Sequence, residues 1–357
     1  MKIEEYEAFE KLSRRDRRDS FEVVAEKRGI RSAYVEKDYW VCRTLGVLMK
    51  QRPYQPKCFF KGGTSLSKGF DLISRFSEDI DIVFSRAGLD IKDADDPTDP
   101  AREMSKTRRK ALLDEVKSKS AAHMSGALVE KLTASHPGCK VQYVDGPPEW
   151  FVSVEYDAVC EKDAYARPTI KIEGGARGAL VPTIERGIVP YVQDALETAK
   201  LNLDLRINKM TMIRPERTML EKLVAIHGFN SKCANVDPEK RPKDGNRHSR
   251  HFYDVAQIAQ TTYGTKALND PELFAGVVSH SALTFPGAGS RYDLAKPDTI
   301  SIVPTAEVQK MLASDYAAMG GMMFGKAPSF DNIMKQLVII EASMRELEQR
   351  QMILDLT

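Results

Sequence analysis

The run from Cys58 to Phe84, CFFKGGTSLSKGFDLISRFSEDIDIVF, limits the fold more than any other part of the chain. It opens as a short apolar strand, Cys58-Phe59-Phe60, and breaks at Gly62-Gly63. The hydroxyls Thr64, Ser65 and Ser67 follow, with Leu66, Phe70, Leu72 and Ile73 at near-helical spacing. A second strand, Ile80 to Phe84, closes the unit. Side chains alternate along a strand, so Asp79 and Asp81 share one face while Ile80, Ile82 and Phe84 share the other. Two carboxylates on one face repel each other unless a cation sits between them, and a divalent ion with oxygen ligands meets that need. Glycines ahead of a helix let backbone N–H groups approach a phosphate, where the helix N-terminus adds favourable partial charge. Metal-binding carboxylates beside a phosphate cradle point to phosphoryl or nucleotidyl transfer.

At 357 residues the chain has room for two domains with separate cores. No run approaches the ~20 apolar residues of a membrane helix. The polar start MKIEEYEAFEKLSRRDRRD is not a secretory signal, so a cytoplasmic location is expected. Five cysteines, odd in number and without CxxC spacing, argue against a zinc site and against a disulfide framework. A net charge of +2 excludes a uniformly basic nucleic-acid binder. Local basic clusters at 14–18, 106–110 and 240–250 read as solvated helix faces or as phosphate contacts.

Helices are expected over residues 4–28 and 33–49. The second turns Val35, Tyr39, Cys42 and Leu45 inward, with Glu36-Lys37-Asp38 on the opposite side. The acidic, proline-punctuated stretch 90–100 reads as a linker, and 102–132 as one long helix. Strands are expected at 140–144, 151–156 and 169–173. Glu173, ahead of Gly174-Gly175, is either a third carboxylate beside Asp79 and Asp81 or an exposed residue before a turn. A short helix near 191–199 and a strand near 203–208 follow. From Pro215 the pattern turns helical, and Thr218-Met219-Leu220-Glu221 reads as a capping box with Thr218 at the N-cap. Lys222 lies beside the apolar surface of that helix, either snorkelling or held against phosphate. Residues 230–246 read as a mobile loop, 247–254 open another helix, and a last helix starts at Phe330. These elements predict an α/β domain over 1–214 and a helical domain over 215–357.

Lys61-Gly62-Gly63-Thr64-Ser65-Leu66-Ser67-Lys68, followed by Arg75-Phe76-Ser77-Glu78-Asp79-Ile80-Asp81, resembles the AbiEii/AbiGii family of toxin nucleotidyltransferases. That family is related to the MenT toxins within the polymerase-beta-like superfamily. The likeness extends to Glu36-Lys37-Asp38-Tyr39-Trp40, to Glu221-Lys222 with His227, and to Ser249-Arg250-His251-Phe252-Tyr253-Asp254. It covers roughly residues 30 to 260, with a weaker likeness at Phe324 to Glu341.

The resemblance implies an α/β (α+β) nucleotidyltransferase core, a mixed sheet flanked by helices, and a mostly helical C-terminal domain that completes the active-site cleft. Asp79 and Asp81 would hold Mg²⁺, two ions in all, with Glu173 as third carboxylate. Thr64 or Ser65, with the backbone at Gly62-Gly63, would hold the triphosphate of an NTP. Lys222 would neutralise charge on the β- and γ-phosphates, and Arg250 and Asp254 would complete the site. The implied reaction moves NMP onto an RNA, a tRNA 3′ end in particular, in the toxin of a toxin–antitoxin or phage-defence pair with a cognate antitoxin. Two departures stand out: His251 occupies a position where the family often has Asp, and Gly-Thr-Ser replaces Gly-Ser. Two other readings stay open, a nucleotide-binding regulator without transfer and a transferase acting on a protein hydroxyl. His227 reads as a core-edge histidine, and Tyr253 and Trp40 as packing residues.

Overall fold

The computed structural model describes residues 3–50, 56–146, 149–161, 163, 166–235 and 247–354. Its strands are β1 (Cys58–Lys61), β2 (Ile80–Phe84), β3 (Lys140–Gly146), β4 (Glu149–Glu155), β5 (Thr169–Gly175), β6 (Thr183–Ile188) and β7 (Ile207–Ile213). They form one sheet in the order β3-β4-β5-β2-β1-β7-β6. β2 pairs antiparallel with β1 and parallel with β5, and β1 pairs parallel with β7. The outer pairs are antiparallel. The sheet is therefore mixed, as expected. Contacts divide the chain into two units. One comprises Met1–Asp71, Arg75–Pro97 and Met104–Ile213; the other comprises Leu72–Ser74, Thr98–Glu103 and Arg214–Thr357.

The first unit holds the whole sheet and the helices α1 (Ile3–Glu10), α2 (Arg14–Arg28), α3 (Ser32–Met49), α4 (Gly62–Lys68), α5 (Lys106–His123), α6 (Val129–Ser135) and α7 (Gln193–Thr198). Ile80 and Ile82 of β2, Ile170 and Ile172 of β5, and Val152 and Val154 of β4 are buried in one core with Val35, Tyr39 and Cys42 of α3. Alternation sends their strand neighbours to the other face, where Asp81, Lys171 and Glu173 are half-buried.

Three local expectations are corrected in this unit. Glu36, Lys37 and Asp38 do not form a solvated side, because every residue of α3 from Ala33 to Leu48 is buried. The long helix over 102–132 is two helices joined by a π turn at Met124–Leu128, and the first starts at Lys106, where the Ser105 hydroxyl accepts the N–H of Arg108. The strand placed at 203–208 lies instead at Ile207–Ile213, paired with β6, which the sequence pattern did not reveal.

His136 packs in this core at 1% exposure, with Nδ1 3.0 Å from the Leu132 carbonyl and Nε2 3.1 Å from the Thr44 hydroxyl. Burial, and then the Arg43 guanidinium, push its pKa down to about 3. Between about pH 6.5 and 3 the unfolded imidazole binds a proton that the folded one refuses, so stability falls as pH falls. The full loss from this group is about 5 kcal/mol by pH 3. Urea midpoints measured from pH 7 to pH 4 should decline, and His136→Gln should flatten the decline.

The second unit is helical: α8 (Pro215–Asn235), α9 (Ser249–Ala259), α10 (Thr262–Leu268), α11 (Pro271–Thr284), α12 (Ala306–Ala318) and α13 (Phe330–Leu354). α8 begins at Pro215 rather than at a Thr218 cap. Proline suits a first helical position, where its missing N–H has no acceptor to lose. Thr218 already lies inside the helix, its N–H donating to the Arg214 carbonyl at 3.2 Å. Of the loop expected over 230–246, the first residues continue α8 to Asn235 and 236–246 lie outside the described residues, as does the basic cluster from 240 to 246. His227 is buried between the Arg291 carbonyl (2.9 Å) and the Ser301 N–H (3.0 Å), a structural histidine. Among the described residues no helix is long and apolar enough to cross a membrane.

Candidate active site

The strand register assembles the first group of polar residues. Asp81 is paired with Lys61 across β1–β2 and with Glu173 across β2–β5. Partners on neighbouring strands point to the same face, about 4.8 Å apart. Lys61, Asp81 and Glu173 therefore form one row across three strands, and Glu173 is no isolated residue before a turn. Asp79 sits one residue ahead of β2. Among the described residues no three carboxylate, imidazole or thiol side chains converge on one point as they stand. The donors nevertheless suit a hard divalent cation, which takes carboxylate oxygens from a small flexible set and completes its shell with phosphate and water.

β1 runs directly into α4, and the junction needs glycine twice. Gly62 has φ +79°, and a Cβ there would lie 1.9 Å from Oδ2 of Asp81. At Gly63 a Cβ would lie 2.7 Å from both the Arg75 guanidinium and the Ser77 hydroxyl. Backbone thus lies directly against the carboxylate row. Gly62→Ala is expected to cost about 1–2 kcal/mol from the left-handed conformation alone. It should also displace Asp81, so turnover falls even in the folded fraction; urea unfolding and turnover measured on one preparation check both.

Thr64 and Ser65 are fully buried. The Thr64 hydroxyl donates to the Asp79 carbonyl at 2.5 Å and lies 2.9 Å from Ser77 Oγ. Ser65 donates to the Gly62 carbonyl at 2.9 Å. The Thr64 hydroxyl thus ties the glycine turn to the carboxylate loop, and the Ser65 hydroxyl closes the turn on itself.

Support for this row comes from α3. Lys37, 3% exposed at its side chain, pairs with Glu78 immediately before Asp79, and it also donates to the Arg167 carbonyl at 2.9 Å. Asp38 pairs with Lys68 at the end of α4 (2.7 Å) and accepts the Tyr191 N–H at 2.6 Å. Glu36 accepts the N–H groups of Val159 and Cys160. Burial pushes the Asp38 carboxyl up, and Lys68 pulls it back only in part. Burial opposes the Lys68 ammonium, yet Asp38 carries its pKa above the ordinary value. A buried ion pair on each side of the glycine turn fixes where Asp79 and α4 can lie. Sequence reasoning missed these supporting roles. The available signal was that α3 is apolar all round, which marks a buried helix whose charges must find partners.

The second group lies within the helical unit. Lys222 of α8 pairs with Asp254 of α9 at 3.0 Å and lies 3.3 Å from Nδ1 of His251. Asp254 is fully buried and the Lys222 side chain only 11% exposed, so this ammonium does not snorkel. Burial, then Lys222 and Arg250, hold His251 well below the usual imidazole range. Its Nδ1 is therefore a neutral acceptor for the ammonium. Arg250 occupies the first turn of α9, whose N-terminus is held by Asp315 accepting from Arg247 N–H (3.0 Å) and Ser249 N–H (2.9 Å). Tyr253 is buried and accepts the Ser74 N–H at 3.1 Å.

A family model described as nucleotidyl transferase AbiEii toxin, type IV TA system, covers residues 43–336. Among solved structures, the nucleotidyltransferase toxin MenT4 from Mycobacterium tuberculosis H37Rv aligns over 95% of both chains at 16% identity, with a TM-score of 0.47. No curated protein matches the chain.

Proposed function

The chain belongs to the AbiEii family of nucleotidyl transferase toxins of type IV toxin–antitoxin systems, and from that premise we propose that it moves NMP from an NTP onto the 3′ end of an RNA of the tRNA class. The observation that carries this reading is the row Lys61–Asp81–Glu173, with the Gly62 backbone against Asp81. In the reaction the acceptor hydroxyl oxygen bonds to the α-phosphorus as the bond to pyrophosphate breaks, and the hydroxyl proton is lost. A hydroxyl at its ordinary pKa is a poor nucleophile, so a base and charge neutralisation are required.

Asp79, Asp81 and Glu173 would hold Mg²⁺, two ions in all, which when bound supplies Lewis-acid stabilisation of charge at the α-phosphate. Glu173, on the side of Asp81 away from the glycine turn, is assigned to the acceptor hydroxyl. The Gly62-Gly63 backbone, braced by Thr64 and Ser65, is assigned to the leaving phosphates. Within the helical unit, Lys222 and Arg250 are assigned to nucleotide phosphate charge, as the family resemblance implies, with Asp254 and neutral His251 orienting the Lys222 ammonium. The same reading makes the protein a cytoplasmic toxin opposed by a cognate antitoxin and active in phage defence.

Incubating the protein with cell lysate and each of the four α-labelled NTPs in turn tests the acceptor. The reading expects label to run with small RNA and to disappear on ribonuclease treatment. Label that survives ribonuclease and runs with protein would assign the acceptor to a protein hydroxyl. Nucleotide binding without any labelled product would leave a regulator that binds but does not transfer.

A further inference from the structure

We infer that Phe151 and Lys171 form the acceptor subsite: a stacking surface and a phosphate contact for the 3′-terminal nucleotides of a single-stranded RNA end. This rests on the transfer reaction proposed above and adds to it where the acceptor lies. In-line displacement puts the attacking oxygen opposite the leaving pyrophosphate. The leaving phosphates are assigned to the glycine turn, which follows β1 on one side of Asp81. The acceptor must then approach over the opposite side, where the sheet order continues from β2 to β5 and β4.

Two residues on that side have the right chemistry. Lys171 lies two residues before Glu173 on β5, and with a period of two it shares the face of Glu173 and Asp81. The β4–β5 register sets Ser153 against Lys171 and Val152 against Ile172. Two residues before Ser153 on β4, Phe151 shares that face, so an aromatic ring stands on the sheet beside the row Lys61–Asp81–Glu173. The Lys171 ammonium lies 4.5 Å from the centroid of that ring. Phe151, Lys171 and Glu173 are all half-buried, whereas Ile170 and Ile172 on the other face are fully buried.

An aromatic face and an ammonium next to one another match a single nucleotide strand, since every base has a face to stack and every linkage a negative charge. A peptide acceptor offers neither feature at regular spacing. The pair gives no base-edge hydrogen bonds, so the subsite tolerates different terminal bases.

Fluorescence anisotropy with a short 5′-labelled single-stranded RNA, for wild type, Phe151→Ala, Phe151→Trp and Lys171→Met, tests the subsite without requiring turnover. Affinity for a fluorescent NTP is measured on the same samples. Phe151→Ala should weaken RNA binding about tenfold or more, in keeping with the loss of one stacked base. Phe151→Trp should retain RNA binding, and NTP affinity should stay at the wild-type value throughout. Lys171→Met should reduce the slope of log affinity against log salt by about 0.7, one phosphate contact on a single strand. A merely structural role would not move that slope. RNA affinity unchanged in Phe151→Ala, or RNA and NTP affinity lost together in both Phe151 variants, would overturn the subsite. If label transfers to RNA while Phe151→Ala binds RNA normally, the subsite fails and the transfer reaction stands. If wild type transfers label only to protein, both fail.

Discussion

Asp81→Asn is expected to lower nucleotide transfer by about 10²–10³-fold, roughly 3–4 kcal/mol of transition-state stabilisation, with little change in unfolding free energy. Asp81 is half-buried, and its amide replacement keeps the shape that fits against Gly62. What it loses is one negative charge at the centre of the row between Lys61 and Glu173. Glu173→Gln and Asp79→Asn should show losses of the same order. Steady-state rates at saturating NTP, with urea unfolding of the same samples, separate this outcome from misfolding. If all three amide variants transferred at the wild-type rate, the carboxylate row would have no part in the chemistry.

The largest stability effect is expected at the other end of the glycine helix. Lys68→Met should destabilise the first unit by about 3–5 kcal/mol, because it leaves the Asp38 carboxylate buried without its cation. Both side chains are nearly inaccessible, at 5% and 4% exposure, so water cannot replace the lost partner. The double variant Asp38→Asn/Lys68→Met should recover part of the loss, since the amide oxygen can still accept the Tyr191 N–H. The deficit also depends on pH. Burial already raises the Asp38 pKa, and removing Lys68 raises it further. Above that folded-state pKa the carboxylate is charged and the deficit is full. As pH falls through it the side chain takes up a proton and the deficit closes. Urea midpoints of the single and double variants at neutral and acid pH read out both effects, and an equal deficit at all pH values would rule out the unpaired carboxylate as its cause.

Residues 58–84 were legible because their features are local: an apolar strand, a glycine pair, and carboxylates alternating with isoleucine. The strands around Lys140, Phe151 and Thr169 were legible for the same reason. β6 was not, since Glu185, Arg186 and Gly187 break the apolar alternation, as is usual on an edge strand. β7 was displaced because Met210 and Met212 give a weak strand signal beside Leu203 and Leu205. At α8, a sound capping pattern at Thr218 competed with Pro215 at the first helical position, and the proline prevailed. The pairing of Asp81 with Glu173 is set by strand register between segments about ninety residues apart. No local pattern carries that information, although the family resemblance pointed to it. Glu36, Lys37 and Asp38 were misread because consecutive charges ordinarily mark a solvated side. Here each charge is buried against a partner far along the chain.

The most direct test of nucleotidyl transfer compares purified protein given RNA, Mg²⁺ and the same NTP labelled either at the α- or at the γ-phosphate. The account predicts that α-label enters RNA, that γ-label is released as pyrophosphate, and that Asp81→Asn lowers both signals by about 10²–10³-fold. Label entering RNA or protein from the γ-position would make the reaction phosphoryl transfer and contradict the account, as would undiminished α-label incorporation by Asp81→Asn.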